Sequence, residues 1–396
     1  MKKLLLITFL FIPVVFINCS EESAIVKPEI RIKSVTVPEG TSDETQAELT
    51  AVLSQPIQED IVISYFTEDI SANAGKDYTA VNQGSLTISA GSTSAKISIT
   101  VLPDDLFEFT EEFLVKLTEP DNATLIGQNI TVRINDNDDY TPEKDADGYI
   151  TPDSYPEMTL FWAEEFNGTS INTDTWTFEI GDGCPNLCGW GNNELQYYSD
   201  EEKNAKIADG KLIITALKKE GYSEYSSARM ITKGKQEFSY GRIDIRARLP
   251  YGQGIWPAIW MLGANIDQVG WPSCGEIDIM ELVGHEPKTS HGTAHYNANG
   301  YQYKGMGYAL TDGTAFNDQF HVFSVLWEKD IIKWYVDYNK FFEISAETVG
   351  TTYPFNNPFF FILNIAVGGN WPGNPDETTL FPQTMEIDYI RVFQQG

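Results

Sequence analysis

The stretch "GEIDIMELVG" places three carboxylates in a run that otherwise has the apolar composition of a buried strand. Successive strand side chains point to opposite faces, so Glu276 and Asp278 share one face. Strict alternation would put Glu281 on the apolar face, where an unpaired ionised carboxylate is costly. We therefore expect a β-bulge at Ile279 and Met280, which returns Glu281 to the face of the other two acids.

Three neighbouring acids raise one another's pKa, so at least one carboxyl should keep its proton near neutral pH. A retaining glycosidase needs that arrangement, because it pairs an ionised nucleophile with a protonated general acid about 5 to 5.5 Å away. Asp278 would then tune and orient Glu276 and Glu281. The alternatives are a solvated acidic strand face or a cation site, since structural networks also perturb carboxylates.

Length and charge set the broad class. The chain has 396 residues, enough for two domains, and 13% of them are aromatic. Its formal net charge of −30 argues against nucleic acid or an anionic membrane surface as a partner. A neutral ligand remains compatible with that charge.

The N-terminal run "MKKLLLITFLFIPVVFINCS" has a basic start followed by an apolar segment. This pattern predicts an export signal over residues 1–19 rather than a stable membrane span. The run resembles a bacterial lipoprotein signal, which implies a lipid anchor at Cys19 as the one membrane contact. The expected location is the outer membrane, facing the cell surface or the periplasm, with simple secretion as the alternative.

Three further cysteines, Cys184, Cys188 and Cys274, would lie in a disulfide-permissive compartment. An odd count leaves one thiol unpaired. The first two could close on each other, or either could reach Cys274. Zinc is a poor alternative, because the four histidines are not spaced as ligands.

The coarse pattern is all-β. Residues 28–139 read as short alternating strands separated by turns, which is typical of a β-sandwich. Residues 140–158 are polar, contain three prolines and are predicted to be a linker. Residues 159–396 again alternate, with larger aromatic side chains and longer loops, and predict a second and larger sandwich.

The motifs "AGKDYT", "GSLTISAGSTSAKISITVLPDD", "EFTEEFLVKL" and "INDND" resemble the Calx-β domain, an immunoglobulin-like sandwich. That resemblance implies acidic loops at one end that can bind calcium, for which oxygen ligands from several loops are suited. An acidic end without an ion is the alternative, and a spacer role is preferred over adhesion or glycan binding. The matching positions are Glu39, Asp77, Asp104, Asp105, Glu111, Asp136 and Asp138.

The motifs "GRIDIRARLPYGQGIWPAIWMLG", "GWPSCGEIDIMELVG", "HGTAHYN" and "FHVFSVLWEKDIIKWYVDY" resemble glycoside hydrolase family 16, and within it the laminarinases. The resemblance implies a jelly-roll sandwich of the concanavalin type and a retaining reaction without a catalytic cofactor. It makes Glu276 the nucleophile, Glu281 the acid/base and Asp278 the assisting carboxylate, with Met280 as the inserted residue of the bulged motif.

Aromatic rings stack on the C–H faces of sugars, and sugar hydroxyls need fixed polar partners. Of Trp256, Trp260 and Trp271, we expect at least one to be a sugar platform and one to be a core residue. Trp371 lies in a Gly/Pro loop and is a further platform candidate. The resemblance adds the polar candidates Asn193, Arg229 and His295, with Asn364 and Gln196 as weaker ones.

The family also implies a structural calcium far from the cleft, with Glu165, Gly210 and Asp388 at the matching positions. Such an ion would act on stability rather than on the reaction.

The sequence therefore predicts a monomeric endo-hydrolase of β-1,3-glucosidic bonds in laminarin-like glucans. The alternatives are a mixed-linkage β-1,3-1,4-glucanase, a galactan (agar or porphyran) hydrolase, or a non-catalytic glucan-binding protein. Both catalytic glutamates are present, which favours an enzyme over the binding protein.

Overall fold

The computed structural model describes residues 27–108, 110–138, 141–218 and 224–395. The predicted export signal, including Cys19, lies outside these ranges. Within them, none of the helices combines the length and apolar character needed to cross a membrane. The chain forms two compact units, of which the first comprises the described parts of residues 1–39, 43–103 and 111–135, and the second the remainder.

The first unit is a β-sandwich of two sheets. The sheets have the strand orders β6-β3-β1-β8 and β2-β9-β7-β4-β5. Side chains of β3 alternate between buried and exposed along the strand, as a sheet with one face on a core requires. Its strands are β1 (Glu29–Ile32), β2 (Val35–Pro38), β3 (Thr45–Leu53), β4 (Ile61–Asp69), β5 (Gly84–Ile88), β6 (Ser94–Val101), β7 (Glu111–Leu117), β8 (Thr124–Ile126) and β9 (Asn129–Asn135).

The second unit is also built from strands, so the all-β prediction is confirmed for both units. Its helical elements are α1 (Ile266–Val269), α2 (Ala346–Val349) and a short 3-10 turn at Cys188–Gly191. The strands are β10 (Glu143–Lys144), β11 (Tyr149–Ile150), β12 (Met158–Glu164), β13 (Thr177–Phe178), β14 (Gln196–Tyr198), β15 (Ala205–Ala208), β16 (Lys211–Lys218), β17 (Tyr225–Ser227), β18 (Arg229–Ile231), β19 (Gly241–Arg248), β20 (Ile255–Gly263), β21 (Glu276–Glu281), β22 (Thr289–Asn297), β23 (Tyr301–Ala309), β24 (His321–Glu328), β25 (Ile331–Val336), β26 (Asn339–Ser345), β27 (Phe359–Val367) and β28 (Gln383–Gln395).

Two large sheets form this sandwich. The cleft sheet has seven strands in the order β13-β18-β27-β20-β21-β22-β23. The outer sheet has ten, with the path β14-β17-β16-β28-β19-β24-β25-β26 and with β12 and β15 pairing beside it. A continuous apolar core joins the two sheets, and β27, the run "FFFILNIAV", is buried along its whole length. The other face of the cleft sheet is left to hold the site.

The predicted linker is more ordered than its composition suggested. Strands β10 and β11 pair with each other, and Tyr155 is buried. Arg246 binds this segment twice, by an ion pair with Asp145 at 2.7 Å and a hydrogen bond to the Tyr149 carbonyl at 2.7 Å. The described residues from 141 to 158 therefore belong to the second unit rather than to an unstructured linker.

Candidate active site

The expected β-bulge is present in strand β21, and the prediction is confirmed. On one side, Trp260 pairs with Asp278 and Ile259 with Met280, which leaves Ile279 without a partner on β20. On the other side, the register with β22 also shifts between Asp278 and Glu281. The side chains of Ile279 and Met280 are both buried in the core. The extra residue therefore turns Glu281 onto the cleft face.

Glu276 and Glu281 each accept a hydrogen bond from a tryptophan indole. Trp271 Nε1 donates to Glu276 Oε2 at 2.8 Å, and Trp256 Nε1 donates to Glu281 Oε1 at 3.0 Å. A donor to a carboxylate favours its ionised form and fixes its orientation. The two tryptophans thus hold the two glutamates in place in addition to lining the cleft.

His295 lies beside both Asp278 and Glu276. Its Nε2 lies 3.0 Å from Asp278 Oδ2 and 3.7 Å from Glu276 Oε1. Its Nδ1 lies 2.8 Å from the Tyr301 hydroxyl, so the ring is held at both nitrogens. Trp334 Nε1 donates to the Asp278 backbone carbonyl at 2.8 Å and fixes the strand from behind. Glu276, Asp278 and His295 also have the spacing of a cation site, with atoms within 4.8 Å of one another.

Burial raises the pKa of all three acids. The pKa of Glu276 rises to about 8, through burial first and the Asp278 charge second, while His295 and the Trp271 donor oppose the shift. Burial raises the pKa of Asp278 to about 8 as well. The pKa of Glu281 is raised well above its ordinary value by burial and by the charges of Asp278 and Glu276. The charges of Asp278 and Glu276 therefore favour the protonated form of Glu281, which is the form that a general acid needs.

These acids lie on the floor of a cleft of about 630 Å³. Strands from β18 across to β22 contribute alternate residues to its floor, as one face of a pleated sheet must. Its lining residues are Glu179, Leu187, Trp190, Gly191, Asn192, Glu194, Arg229, Ile231, Lys233, Trp256, Ala258, Trp260, Leu262, Ile266, Asp267, Trp271, Glu276, Asp278, Glu281, His295, Tyr301, Phe360, Ile362, Asn364, Ala366 and Trp371.

The four candidate tryptophans all line this cleft. Trp271 and Trp371 are 49% and 42% exposed, and Trp256 and Trp260 are partly buried. The expectation that one of the first three would be a core residue is therefore wrong. Each indole N–H finds its acceptor on the cleft face, from Glu281 for Trp256, Asn364 for Trp260 and Glu276 for Trp271.

A polar network holds Trp260 and Arg229. Trp260 Nε1 donates to Asn364 Oδ1 at 2.8 Å, and Asn364 Nδ2 donates to the Tyr198 hydroxyl at 3.1 Å. The Arg229 guanidinium lies 4.8 Å from the Trp260 ring centroid and pairs with Glu179 at 2.5 Å. Asn364 thus orients a cleft tryptophan, and both Asn364 and Arg229 line the cleft as predicted candidates for sugar contacts.

Among the described residues that line the cleft, neither of the predicted candidates Asn193 and Gln196 is present. Asn193 is exposed and donates to Asn370 Oδ1 at 2.8 Å, whereas its neighbours Asn192 and Glu194 line the cleft. Gln196 is buried, and it donates to Glu194 Oε2 at 2.7 Å and accepts a hydrogen bond from the Val367 amide at 2.7 Å. Gln196 is therefore a structural residue in this fold.

Among the cleft-wall residues that sequence reasoning missed are Trp190, Glu194 and Tyr301. The Arg229 guanidinium lies 4.5 Å from the Trp190 ring centroid, and burial raises the pKa of the Glu194 carboxyl. Trp190 stands in the Gly-rich run "GWGNNE", a loop signal comparable to the one that identified Trp371. Tyr301 follows an Asn-Gly turn, which also marks a hairpin in the sequence.

Of the three cysteines in the described residues, two form a disulfide and one is a free thiol. Cys184 and Cys188 are bonded to each other, and Cys274 is buried with a free thiol. Burial and the Glu276 charge raise the pKa of the Cys274 thiol to about 11. The disulfide closes the loop that carries Leu187, and the thiol is chemically inert at neutral pH.

The candidate ligands of the structural calcium have other partners in this structure. Glu165 forms two hydrogen bonds with Arg391, at 2.7 and 3.0 Å, and Asp388 pairs with Arg246 at 2.6 Å. Gly210 has a φ of 71°, in the left-handed region. An ion at this site would share both carboxylates with guanidinium groups, so this site stays a prediction.

The acidic residues of the Calx-β segment are divided between the two units. In the first unit Glu39, Asp77 and Glu111 are buried, and oxygens of Asp77 and Glu111 lie within 4.8 Å of each other.

In the second unit, oxygens of Asp136 and Asp138 also lie within 4.8 Å of each other. Burial raises the pKa of Asp136 to about 7. Asp104 is partly buried and Asp105 is exposed.

Taken together, the sandwich and the site define a glycoside hydrolase: two tryptophan-bound glutamates flank an aspartate in an aromatic cleft. Residues 188–391 match the model of glycosyl hydrolases family 16, and the chain belongs to that family. Residues 29–138 match the model of the Calx-beta domain.

Individual glucanases are also similar to this chain. The chain is 39% identical over 270 residues to glucan endo-1,3-beta-glucosidase A1 of Niallia circulans, covering 63% of this chain and 39% of that protein. It is 40% identical over 256 residues to the beta-glucanase of Rhodothermus marinus, covering 61% and 87%. The catalytic domain of an endo-1,3-beta-glucanase (laminarinase) from Thermotoga petrophila superposes with a TM-score of 0.58 at 48% identity, covering 60% and 98%. The chain thus spans about two fifths of the Niallia protein.

Proposed function

We propose that this protein hydrolyses internal β-1,3-glucosidic bonds of laminarin-like glucans with retention of configuration. The observation that carries the proposal is the bulged strand β21, which brings Glu276, Asp278 and Glu281 to one cleft face, where burial and the charges of the other two acids raise the pKa of Glu281. The names of the Niallia and Thermotoga relatives support the β-1,3 linkage.

In the first step the Glu276 carboxylate attacks the anomeric carbon while Glu281 gives its proton to the departing glycosidic oxygen. The C–O bond of the glycoside breaks, and a glycosyl ester forms on Glu276. In the second step Glu281, now ionised, takes a proton from water, which attacks the anomeric carbon and releases Glu276. Two inversions give net retention.

The pKa of Glu281 must fall between the two steps, and the site provides for this. Once Glu276 is esterified its negative charge is gone, and that charge is one of the causes that raise the pKa of Glu281. Trp256 stays bonded to Glu281 Oε1 and favours its ionised form. Asp278, held by His295, supplies a fixed carboxylate between the two glutamates.

Endo action is supported by the course of the cleft. Its lining runs from Glu179, beside β13, to Tyr301 on β23, so it crosses the whole cleft sheet. A polymer can lie across such a groove with sugar units on both sides of the catalytic strand.

The test is release of reducing sugar from laminarin, lichenan and agarose by the wild type and by Glu276→Ser. We expect oligosaccharides from laminarin, with the anomeric configuration retained in the first products seen by NMR, and loss of activity in the variant. Glu202→Ser, at an exposed glutamate outside the cleft lining, is the matched control and should keep wild-type activity.

Other outcomes would point to the alternatives. Cleavage of lichenan at a comparable rate would indicate a mixed-linkage glucanase, and cleavage of agarose alone would indicate a galactanase. Laminarin binding by the wild type without cleavage would overturn the enzymatic proposal and favour a glucan-binding protein.

We further propose export and a lipid anchor at Cys19, supported by the basic start and the apolar run of the N-terminal segment. Labelling with palmitate in a bacterial host should be lost in Cys19→Ala. A label that persists in this variant would contradict the anchor. The predicted monomer is checked by light scattering of the protein without its first 19 residues.

We also propose that the Calx-β segment binds calcium. Its support is the pair of buried carboxylates Asp77 and Glu111, whose oxygens lie within 4.8 Å of each other. Lys76 Nζ lies 3.5 Å from Asp77 Oδ1 and offsets part of this charge, and carboxylate oxygens from separate segments are the ligands that calcium prefers. A rise in melting temperature with calcium over chelator, reduced in Asp77→Asn, would support binding, and an unchanged melting temperature would contradict it.

A further inference from the structure

The edge strand β23 presents two tyrosines on the cleft face. Tyr303 pairs directly with His295 of β22, which lines the cleft, and Tyr301 is two residues earlier and therefore on the same face. Tyr301 and Tyr303 are 47% and 64% exposed. Large aromatic side chains this exposed at the end of a binding cleft need a reason, and neither is required by the core.

The two rings continue a row of aromatic groups that starts at the nucleophile. Trp271, which bonds Glu276, lies 5.0 Å from Tyr301 between ring centroids, and Tyr301 lies 6.1 Å from Tyr303 at an interplanar angle of 22°. The Tyr303 ring is also stacked on His295 at 5.8 Å. The row is therefore continuous with the catalytic groups rather than a separate patch.

Beyond Tyr303, the residues of β23 on the same face are Gly305, Gly307 and Ala309, which have little or no side chain. Gly305 stands opposite Thr293, and a Cβ at Gly305 would lie 2.7 Å from Thr293 Oγ1. No large side chain of β23 lies beyond the two tyrosine rings on this face, and the side chains remain 47% and 64% exposed to a ligand.

Strand β21 lies off-centre in the cleft sheet, closer to the edge that carries the two tyrosines. Strand β21 is fifth of the seven strands in the cleft sheet, so four strands lie on one side of it and two on the other. The long side offers Trp260 and Arg229 to a sugar chain. A chain that runs over the short side meets His295 first and then the tyrosines of β23.

We infer that Tyr301 and Tyr303 form a stacking platform for the part of the glucan chain that extends past the catalytic strand over β23. Tyr303 makes the outermost contact, so only oligosaccharides long enough to reach it gain from it. This inference rests on the proposed function and adds to it a chain-length preference set by the short side of the cleft.

The test compares kcat/KM for laminaritriose and laminariheptaose in the wild type, Tyr303→Ala and Tyr303→Phe. One aromatic stacking contact corresponds to about threefold to tenfold. We expect Tyr303→Ala to lose about that factor more on the heptaose than on the triose. Tyr303→Phe keeps the ring and should retain the length dependence. Tyr251→Ala removes a tyrosine that is 45% exposed and lies outside the cleft lining, and it should behave as wild type.

Binding supplies a second readout that does not need turnover. In the Glu276→Ser background, Tyr303→Ala should weaken laminariheptaose binding by the same factor in calorimetry. Equal losses on both oligosaccharides, or heptaose binding that does not change, would overturn the platform. If the wild type fails to cleave laminarin, the proposed function fails, while the heptaose affinity still decides whether the platform exists.

Discussion

The indole of Trp271 should set the acidic limit of the activity. Its Nε1 donates to Glu276 Oε2 at 2.8 Å, and this bond lowers the pKa of a carboxyl that burial and Asp278 raise to about 8. Trp271→Phe keeps an aromatic ring in the cleft and removes the donor. The ionised form of Glu276 then loses a partner, so the pKa of Glu276 rises further.

The size of this shift follows from the exposure of the donor. A hydrogen bond to a charged group is worth about 1.5 to 3 kcal/mol. Trp271 is 49% exposed, so water can replace part of the bond and the lower end of that range applies. With about 1.4 kcal/mol per pKa unit, Trp271→Phe should raise the pKa of Glu276 by about one unit.

The assay is the pH dependence of kcat/KM on laminarin, which reports the ionisations of the free enzyme. Glu276 must be ionised, so activity rises through its pKa, and the acidic limb should move up by about one pH unit in Trp271→Phe. Glu281 must be protonated, and its donor Trp256 is untouched, so the alkaline limb should stay.

Trp256→Phe is the matched control, because it removes the donor of the other glutamate. Its alkaline limb should move to higher pH, since the ionised form of Glu281 loses its partner. An acidic limb that does not move in Trp271→Phe, or two limbs that move together in either variant, would refute the assignment of the two tryptophans to separate groups.

Two further predictions concern charge inside the second unit. Asp278→Asn removes the charge that raises the pKa of both catalytic glutamates, so both limbs of the pH profile should move to lower pH, in the same assay. Arg242 is fully buried and pairs with Asp244 at 2.9 Å, so Arg242→Met should lower the free energy of unfolding by about 3 to 5 kcal/mol in urea titrations. Arg248→Met, at an ion pair that stays partly exposed to water, should cost at most about 1 kcal/mol, and similar losses in both variants would contradict this reasoning.

The catalytic strand was predictable because the rule that governs it is local. Alternation along "EIDIME" leaves Glu281 on the wrong face, and the cost of burying a charge requires a bulge that the structure contains at Ile279 and Met280. The same reasoning could not assign the tryptophans. Whether Trp256 or Trp260 packs in the core or lines the cleft depends on which groups other strands bring to its indole N–H.

For the segment after residue 140, in contrast, the local sequence was not enough to predict the structure. Its prolines and polar residues predicted a linker, but Arg246, about a hundred positions later in the chain, binds Asp145 and the Tyr149 carbonyl. Composition reports only the local preference of a segment. It carries no information on a distant side chain that satisfies the backbone of that segment.

The sequence by itself determined the all-β class, the three acids with their bulge and the family, because these depend on residue type and short spacing. The tertiary structure alone decided that Cys184 pairs with Cys188, that Glu194 rather than Asn193 lines the cleft, and that the tyrosines of β23 extend it. The disulfide depends on the conformation of its loop, and the cleft lining depends on which strands become neighbours, since strand order joins residues far apart in the chain.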